Sequence, residues 1–354
     1  MGQSYQDLYR QKLVSAETAA ALVKSGDTVF MGEFVQNVEA FDAALALRKN
    51  DLRDVLLTTT TRVKPLKCVE ADPRRESFIW NDWHFSGLAR KGAEKGLASY
   101  IPFTYHQGPK IVDEYIAPDV VVVQVTPMDV HGYFNLSTSC SMGPAYLRKA
   151  KKAIVEVNTS VPRCLGGLEE CIHISEIDHV IEGPNTPLVQ LPATPVSEAD
   201  QGIANHVMNL IEDGSTIQLG IGALPNIVGA MIAQSDLKDL GVHTEMLADS
   251  YVDMYEAGRI TGKRKGIDHG KMVYTFAMGS QKLYDFLDMN PAAAIFPVSY
   301  TNNPNVIGSN PKVVAINNAI EVDLFSQVSS ESAGTRQISG TGGQLDFILG
   351  AFNS

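Results

Sequence analysis

One arrangement of glycines around a short apolar run occurs twice in this chain of 354 residues, and it constrains the fold more than any other feature. Gly26 and Gly32 flank the first run, while Gly214 and Gly220 flank the second, 188 residues later. In each copy a helical pattern precedes the first glycine and another follows the second. The first of these patterns predicts a single helix over residues 4–23. A helix–strand–helix unit repeated at a fixed spacing indicates a duplicated α/β fold.

A second pair of apolar runs supports the duplication. Residues 119–125 and 312–317 have the length of strands and recur at nearly the same spacing as the glycines. Nearly continuous apolar strands are typical of parallel sheets that helices cover on both faces. We therefore predict two similar α/β domains with mainly parallel sheets, over residues 1–190 and 191–354. The proline-rich segment 183–197 is typical of an extended linker between them.

Composition and charge exclude several classes of function. The net charge of −11 argues against a nucleic-acid partner or an anionic membrane surface. No apolar run is long enough to predict a membrane-spanning helix, and we see no secretory signal. The four cysteines are scattered, which favours reduced thiols and a cytoplasmic location. The usual dinucleotide, phosphate-loop, zinc and hydrolase motifs are missing, so we expect no metal.

A carboxylate, Glu245, stands between an apolar run and a polar turn, and a strand is predicted over residues 242–246 just before that turn. A glycine-rich turn at residues 220–225 precedes it in the chain, and another at residues 340–343 follows it. Ligands of parallel sheets bind at the carboxyl ends of the strands. We therefore expect Glu245 and the two turns to form one site for a thioester substrate.

The chemistry of these residues suits acyl transfer. A carboxylate can attack a thioester to give a mixed anhydride, which divides a difficult exchange into easier steps, but it must be ionised to attack. Backbone N–H groups of the 340–343 turn and the amide of Asn302 can stabilise an oxyanion. Each feature also has a structural alternative: simple connections, an Asx turn at Asn302, a solvated Glu245, and a core position for His243.

Several motifs together resemble the acetyl-CoA hydrolase/transferase family, and within it the 4-hydroxybutyrate and butyryl-CoA:acetate CoA-transferases. They follow the family order through nearly the whole chain. They occupy residues 129–136, 220–225, 240–246, 276–280, 315–323 and 339–347.

The resemblance implies roles for individual residues. Glu245 matches the family's catalytic glutamate, which forms a glutamyl-CoA thioester, and Asn302 and Gly343 match positions that polarise the reacting carbonyl. The resemblance and the 340–343 turn also indicate which positions bind CoA. These are Gly220, Ile221, Gly222, Ala223, Leu224, Ile320, Gly340, Gly342 and Gly343.

The predicted function is that of a ping-pong CoA-transferase acting on a short-chain acyl-CoA and a carboxylic acid such as acetate. CoA and acyl-CoA are substrates, and no tightly bound cofactor is expected. The alternatives are an acyl-CoA hydrolase that uses the same glutamate and a catalytically silent acyl-CoA-binding protein. The resemblance further implies a homodimer or a dimer of dimers. Relatives continue beyond Ser354, so we expect a second domain that is incomplete in this chain.

Overall fold

The computed structural model describes residues 4–192, 195–220 and 222–354. Its first stretch alternates helices with strands. In chain order these are α1 (Tyr5–Lys12), α2 (Ala16–Ala20), β1 (Thr28–Glu33), α3 (Glu39–Ala46), β2 (Val55–Thr60), α4 (Lys67–Ala71), β3 (Phe78–Asp82), α5 (Gly87–Glu94), β4 (Ala98–Tyr100), α6 (Gly108–Tyr115), β5 (Val120–Val125), β6 (Tyr133–Asn135), α7 (Gly143–Lys149), β7 (Lys152–Val157), β8 (Cys171–His173) and β9 (His179–Glu182).

The second part of the chain follows the same alternation. Its elements are α8 (Glu198–Met208), β10 (Thr216–Leu219), α9 (Ala223–Gln234), β11 (Gly241–His243), β12 (Met246–Leu247), α10 (Asp249–Glu256), β13 (Met272–Tyr274), β14 (Phe276–Ala277), α11 (Gln281–Leu287), β15 (Ala293–Ile295), α12 (Val298–Thr301), α13 (Pro304–Gly308), β16 (Val313–Ile316), β17 (Glu321–Val322), β18 (Val328–Ser329), β19 (Ser332–Ala333), β20 (Arg336–Gln337) and α14 (Gln344–Phe352).

Two parallel sheets share one strand order, which confirms the predicted pair of similar α/β domains. Within residues 4–192 the sheet has seven strands in the order β4-β3-β2-β1-β5-β7-β9. Within the described residues after 195, the larger sheet has five strands in the order β15-β13-β11-β10-β16. The order of the five strands in the second sheet thus matches the order β4-β3-β2-β1-β5 in the first sheet. The boundary at residue 190 stays a prediction.

The repeated glycines explain why this pattern was visible in the sequence. Gly26 and Gly214 precede β1 and β10, and their φ angles are +83° and +78°. A side chain disfavours this left-handed conformation, whereas glycine adopts it without a steric penalty. Each glycine therefore turns the chain directly into the first strand of its sheet in chain order, β1 or β10.

Two predicted elements are divided in the structure. The helix predicted over residues 4–23 breaks after α1, because Leu13 pairs with Val180 and Ser15 caps a new helix through the N–H of Thr18. The strand predicted over residues 242–246 breaks at Glu245. There the chain bends, and the Glu245 carbonyl accepts hydrogen bonds from the N–H groups of residues 275 and 276.

The predicted linker carries no helix or strand between Gly183 and Leu191 or at residues 195–197. Residues 193 and 194 of that segment lie outside the described residues. No helix in the described part of the chain has the length and hydropathy needed to cross a bilayer.

The two sheets pack on one continuous hydrophobic core that draws side chains from both halves. Backbone hydrogen bonds also join them: the N–H groups of Cys140 and Ser141 donate to the Thr275 carbonyl, and that of Ala277 donates to Thr138. These contacts hold the segment after β6 against β13 and β14. Burial of shared apolar surface is the main force that keeps such sheets together.

Candidate active site

A cavity of about 240 Å³ lies where the two sheets meet. Gly220 follows β10 and Glu245 follows β11, and both line the cavity. Thr60 and Thr61, at the end of β2, line it from the first half. The carboxyl ends of strands from both sheets therefore open onto one space, as the parallel topology predicts.

The glycine turn at residues 340–343, which precedes α14, forms part of the cavity wall. Gly340, Gly342 and Gly343 all line the cavity. An added Cβ at Gly343 would collide with the carboxylate of Glu245 and the amide of Asn302. The absence of a side chain at residue 343 is therefore what allows the backbone to approach the glutamate.

Glu245 is held by two donors that the sequence predicted. Nδ2 of Asn302 donates to Oε2 of Glu245 over 2.7 Å. The Gly343 backbone amide is a second hydrogen-bonding group on the same carboxylate. The structure thus brings Glu245, Asn302 and Gly343 together across 98 residues of sequence, and Asn303, not Asn302, makes the Asx turn that begins α13.

The environment of Glu245 favours its protonated form. Burial and, to a smaller extent, the nearby Asp346 charge raise its pKa to about 8, against the opposing effect of the hydrogen bonds from Asn302 and Gly343. The side chain is nevertheless partly exposed to the cavity. It is therefore a carboxylate that can ionise near neutral pH and reach a ligand.

A chain of buried hydroxyl groups runs from the cavity to a second carboxylate. The Tyr105 hydroxyl, which lines the cavity, lies 2.5 Å from Oγ of Ser141, and Ser141 donates to Oε1 of Glu33 over 3.1 Å. Burial raises the pKa of Glu33 to about 7 and that of Tyr105 well above its usual range. Tyr105 is therefore a neutral hydroxyl at any physiological pH.

A histidine faces the cavity beside the 340–343 turn. The His84 ring packs on Gly340 and Gly342, and its backbone N–H donates to the buried Asp82. Burial lowers the pKa of His84 to about 4, so the imidazole is uncharged at neutral pH. The sequence analysis did not select His84.

His243 occupies a core position, which was the structural alternative considered for it from the sequence. The ring is completely buried, and its Nε2 lies 2.7 Å from the Thr301 carbonyl. Burial lowers its pKa to about 3. Its contact with Thr301 supports the end of α12, and so the adjacent Asn302, whereas the described structure has no hydrogen bond between the ring and Glu245.

The remaining predicted residues that the structure describes are not among those that line the cavity. Gly222 caps α9 with a φ of +114°, and Ala223 and Leu224 begin that helix. Ile320 is 40% exposed and pairs with Ser329 at the β17–β18 hairpin, outside the cavity lining. Ile221 lies outside the described residues. The CoA-binding roles of all nine predicted positions stay predictions.

Besides His84, the sequence did not reveal Asp346 and His106, which support the site from behind Asn302. Asp346 is completely buried, and its carboxylate contacts both His106 and Asn302. The signal was present, since an acidic residue interrupts the apolar sequence of α14, but its partner at position 106 is 240 residues away.

Among the described residues, no group of His, Cys, Asp and Glu side chains has the arrangement of a metal site.

The fold and the site together define an α/β protein in which two similar parallel sheets enclose a cavity, with one carboxylate held between an amide and a glycine turn. The chain belongs to the acetyl-CoA hydrolase/transferase family, which confirms the resemblance. Residues 1–192 match the N-terminal domain of that family and residues 279–354 match its C-terminal domain.

Similar proteins carry names from CoA transfer. The chain is 48% identical to the probable butyrate:acetyl-CoA coenzyme A-transferase of Syntrophomonas wolfei, over 100% of this chain and 79% of the relative. It is 45% identical to the butyryl-CoA:acetate CoA-transferase of Anaerostipes caccae, over 99% of this chain and 79% of that one. The crystal structure of RipA from Yersinia pestis superposes with a TM-score of 0.89 at 34% identity, covering 99% of this chain and 81% of RipA.

Proposed function

We propose that this protein is a CoA-transferase that moves CoA from a short-chain acyl-CoA to a carboxylic acid, with Glu245 as its covalent nucleophile. The observation that carries the proposal is the Glu245 carboxylate in the cavity, 2.7 Å from Asn302 Nδ2 and beside the Gly343 amide. Donors fixed around a reacting carboxylate are suited to stabilise the oxyanions of acyl transfer. The names of the two most similar relatives described above support the same reaction.

The reaction divides into two symmetrical halves. A Glu245 oxygen attacks the thioester carbon. The C–S bond then breaks, CoA leaves as the thiolate, and the acyl group remains on Glu245 as an acyl-glutamyl anhydride. The thiolate then attacks the side-chain carbonyl of Glu245, which forms the glutamyl-CoA thioester and releases the first carboxylate. The acceptor carboxylate attacks that thioester and expels CoA thiolate, which finally attacks the acceptor acyl carbon and regenerates the Glu245 carboxylate.

Each tetrahedral step places negative charge on an oxygen bound to the reacting carbon. In the steps at Glu245 itself, that oxygen occupies the position now bonded to Asn302 Nδ2. We propose that Asn302 and Gly343 stabilise it there. The CoA moiety extends along the Gly220 turn, so the implied roles of residues 220–224, Ile320 and the 340–343 turn belong to this proposal.

The acyl group occupies the apolar part of the cavity, among Phe34, Met246, Phe276 and Met278. The candidate acyl groups are butyryl, 4-hydroxybutyryl and acetyl. The acceptor is a small carboxylic acid such as acetate. No metal or tightly bound cofactor is required by these steps.

Mass spectrometry of the intact protein after incubation with butyryl-CoA alone tests the mechanism. We expect an adduct of CoA on the peptide that contains Glu245, and its loss on adding acetate. The Glu245→Gln variant should form no adduct, and the exposed Glu212→Gln variant should behave as the wild type. A wild-type protein that transfers CoA without any adduct at Glu245 would overturn the mechanism.

Two other functions use the same cavity. The family name includes hydrolases, in which water would take the place of the acceptor acid. Hydrolysis that is independent of added acetate, with no labelled acetyl-CoA formed, would favour a hydrolase. Protection from thermal unfolding by acyl-CoA without turnover would favour a silent binding protein.

We also propose a homodimer or a dimer of dimers in a reducing compartment such as the cytoplasm. The cysteines at positions 68, 140, 164 and 171 are free thiols, which supports the compartment. Light scattering of the purified protein measures the assembly. A monomer at micromolar concentration would contradict it.

A further inference from the structure

The amide of Asn302 can turn either Nδ2 or Oδ1 toward Glu245, and the neighbouring groups favour the orientation with Nδ2 toward it. Nδ2 lies 2.7 Å from Glu245 Oε2 and 3.3 Å from Asp346 Oδ2. Oδ1 has no partner among the described residues. A rotated amide would place Oδ1 against Oε2 of Glu245, which only accepts hydrogen bonds once Glu245 is ionised to react, and against Oδ2 of Asp346, which already accepts from the His106 N–H. The two N–H groups of Asn302 are therefore divided between Glu245 and Asp346.

Asp346 occupies an unusual position for its place in a helix. It is the third residue of α14, where an acidic side chain commonly turns back to the N-cap backbone. Here the side chain instead points inward and is completely buried. It accepts from the His106 backbone N–H over 3.1 Å, and His106 Nδ1 lies 2.7 Å from its other oxygen. A buried carboxylate is costly unless it is hydrogen-bonded, so these contacts fix its location.

We propose that Asp346 is a positioning residue for the reaction: it holds the Asn302 amide in the orientation that donates to the oxygen of Glu245. The inference rests on the proposed function. His106, beside the cavity-lining Tyr105, anchors Asp346 from the first half of the chain.

The need for such a residue follows from the chemistry at Glu245. When Glu245 is acylated or carries CoA, its carboxylate charge is gone, and with it much of the attraction that orients Asn302. Asp346 takes no part in the bond changes and retains one N–H of Asn302 through its oxygen Oδ2. The second N–H is therefore already aimed when the next oxyanion forms, so no reorientation is needed in the transition state.

A double-mutant cycle on kcat tests the inference, with Asn302→Ala, Asp346→Asn and the double variant. Asp346→Asn should lower kcat at least tenfold and leave KM for the acyl-CoA within twofold. If Asp346 acts through Asn302, the double variant should lie within twofold of Asn302→Ala alone. Losses that multiply would overturn the inference. The exposed Asp253→Asn serves as a matched control that should retain wild-type kcat.

The anchor provides a second measurement. His106→Ala should lower kcat several-fold, and His106→Asn should restore most of it, because the Asn Nδ2 occupies the place of the ring Nδ1. Wild-type kcat in His106→Ala, or no recovery in His106→Asn, would overturn the inference even if Asp346→Asn does not fold. If the wild type transfers CoA without an adduct at Glu245, the proposed function and this inference fall together. If the CoA adduct forms at Glu245 but the losses of kcat in the double-mutant cycle multiply, the proposed function stands and only the role of Asp346 is overturned.

Discussion

Nδ2 of Asn302 lies 2.7 Å from Oε2 of Glu245, although the two residues are 57 positions apart in the chain. Asn302 is completely buried at the end of α12, while Glu245 is bent out of the sheet between β11 and β12. A fixed amide therefore faces a carboxylate that can still be reached from the cavity.

Asn302→Ala should lower kcat about 10²–10³-fold, the loss that removal of one oxyanion donor typically causes. It should also move the acidic limb of kcat/KM to higher pH, because the Asn302 hydrogen bond lowers the pKa of Glu245. Steady-state kinetics with butyryl-CoA and acetate measure both effects. A limb that moves to lower pH would contradict the assignment.

Gly343→Ala should abolish transfer, because the new methyl group would occupy the space of the Glu245 carboxylate and the Asn302 amide. Gly202→Ala is the matched control. It lies in α8, where a Cβ meets nothing within 4 Å, so the helix should gain about 0.5–1 kcal/mol and activity should be unchanged. Full activity in Gly343→Ala would show that this turn does not approach the reacting carbon.

The kcat/KM of the wild type should rise with pH up to about 8 and then level off. Glu245 reacts as the carboxylate, and its pKa is raised to about 8, so each unit below that value should cost about tenfold. Tyr105 stays neutral, and His84, with a pKa lowered to about 4, stays uncharged over this range. The limb should remain in place in His84→Gln. A limb near the usual histidine pKa that disappears in that variant would refute the assignment.

The free energy of unfolding should fall as pH rises from about 6.5 to 8. Burial raises the pKa of Glu33 and Glu156 to about 7 and that of Glu245 to about 8. The folded protein therefore keeps protons that the unfolded chain has released, and this advantage disappears as these groups ionise. Urea unfolding at both pH values measures the difference. Glu156→Gln, remote from the cavity, should reduce it, and stability that increases over this interval would be the opposite result.

Met278→Ala should shift acyl preference toward longer chains. Met278 lines the cavity, and each methylene accommodated is worth about 1–3 kcal/mol of discrimination. Met254→Ala removes the same atoms from a buried site outside the cavity lining, so it should reduce stability without changing the preference. The ratio of kcat/KM for hexanoyl-CoA and butyryl-CoA measures the shift. Equal ratios in the two variants would exclude Met278 as an acyl contact.

The sequence was informative where local geometry determines the residue type. Gly26 and Gly214 mark left-handed turns before two equivalent strands, so the repeated fold was predictable from their spacing. The turn at residues 340–343 was predictable for a similar reason, since it leads into α14. The role of Glu245 rests on the family resemblance and stays a prediction.

The rest depends on contacts between distant segments. His106 and Asp346 meet only because the first half docks on the second, and no local pattern encodes that approach. The same holds for His84 against Gly340. The break after α1 escaped prediction because a contact with β9, far along the chain, favours an extended Leu13 over a continued helix.

The matching strand order of the two sheets has an evolutionary consequence. Thr60 ends β2 and Glu245 follows β11, and these strands occupy equivalent places in the two sheets. Both residues line the cavity, so equivalent strand ends of the two sheets contribute different chemistry to it, a hydroxyl group from one and a carboxylate from the other. After duplication, one copy could specialise in the nucleophile while the other became its complementary wall. Each half now supplies a part of the site that the other half lacks, so the two halves are no longer interchangeable.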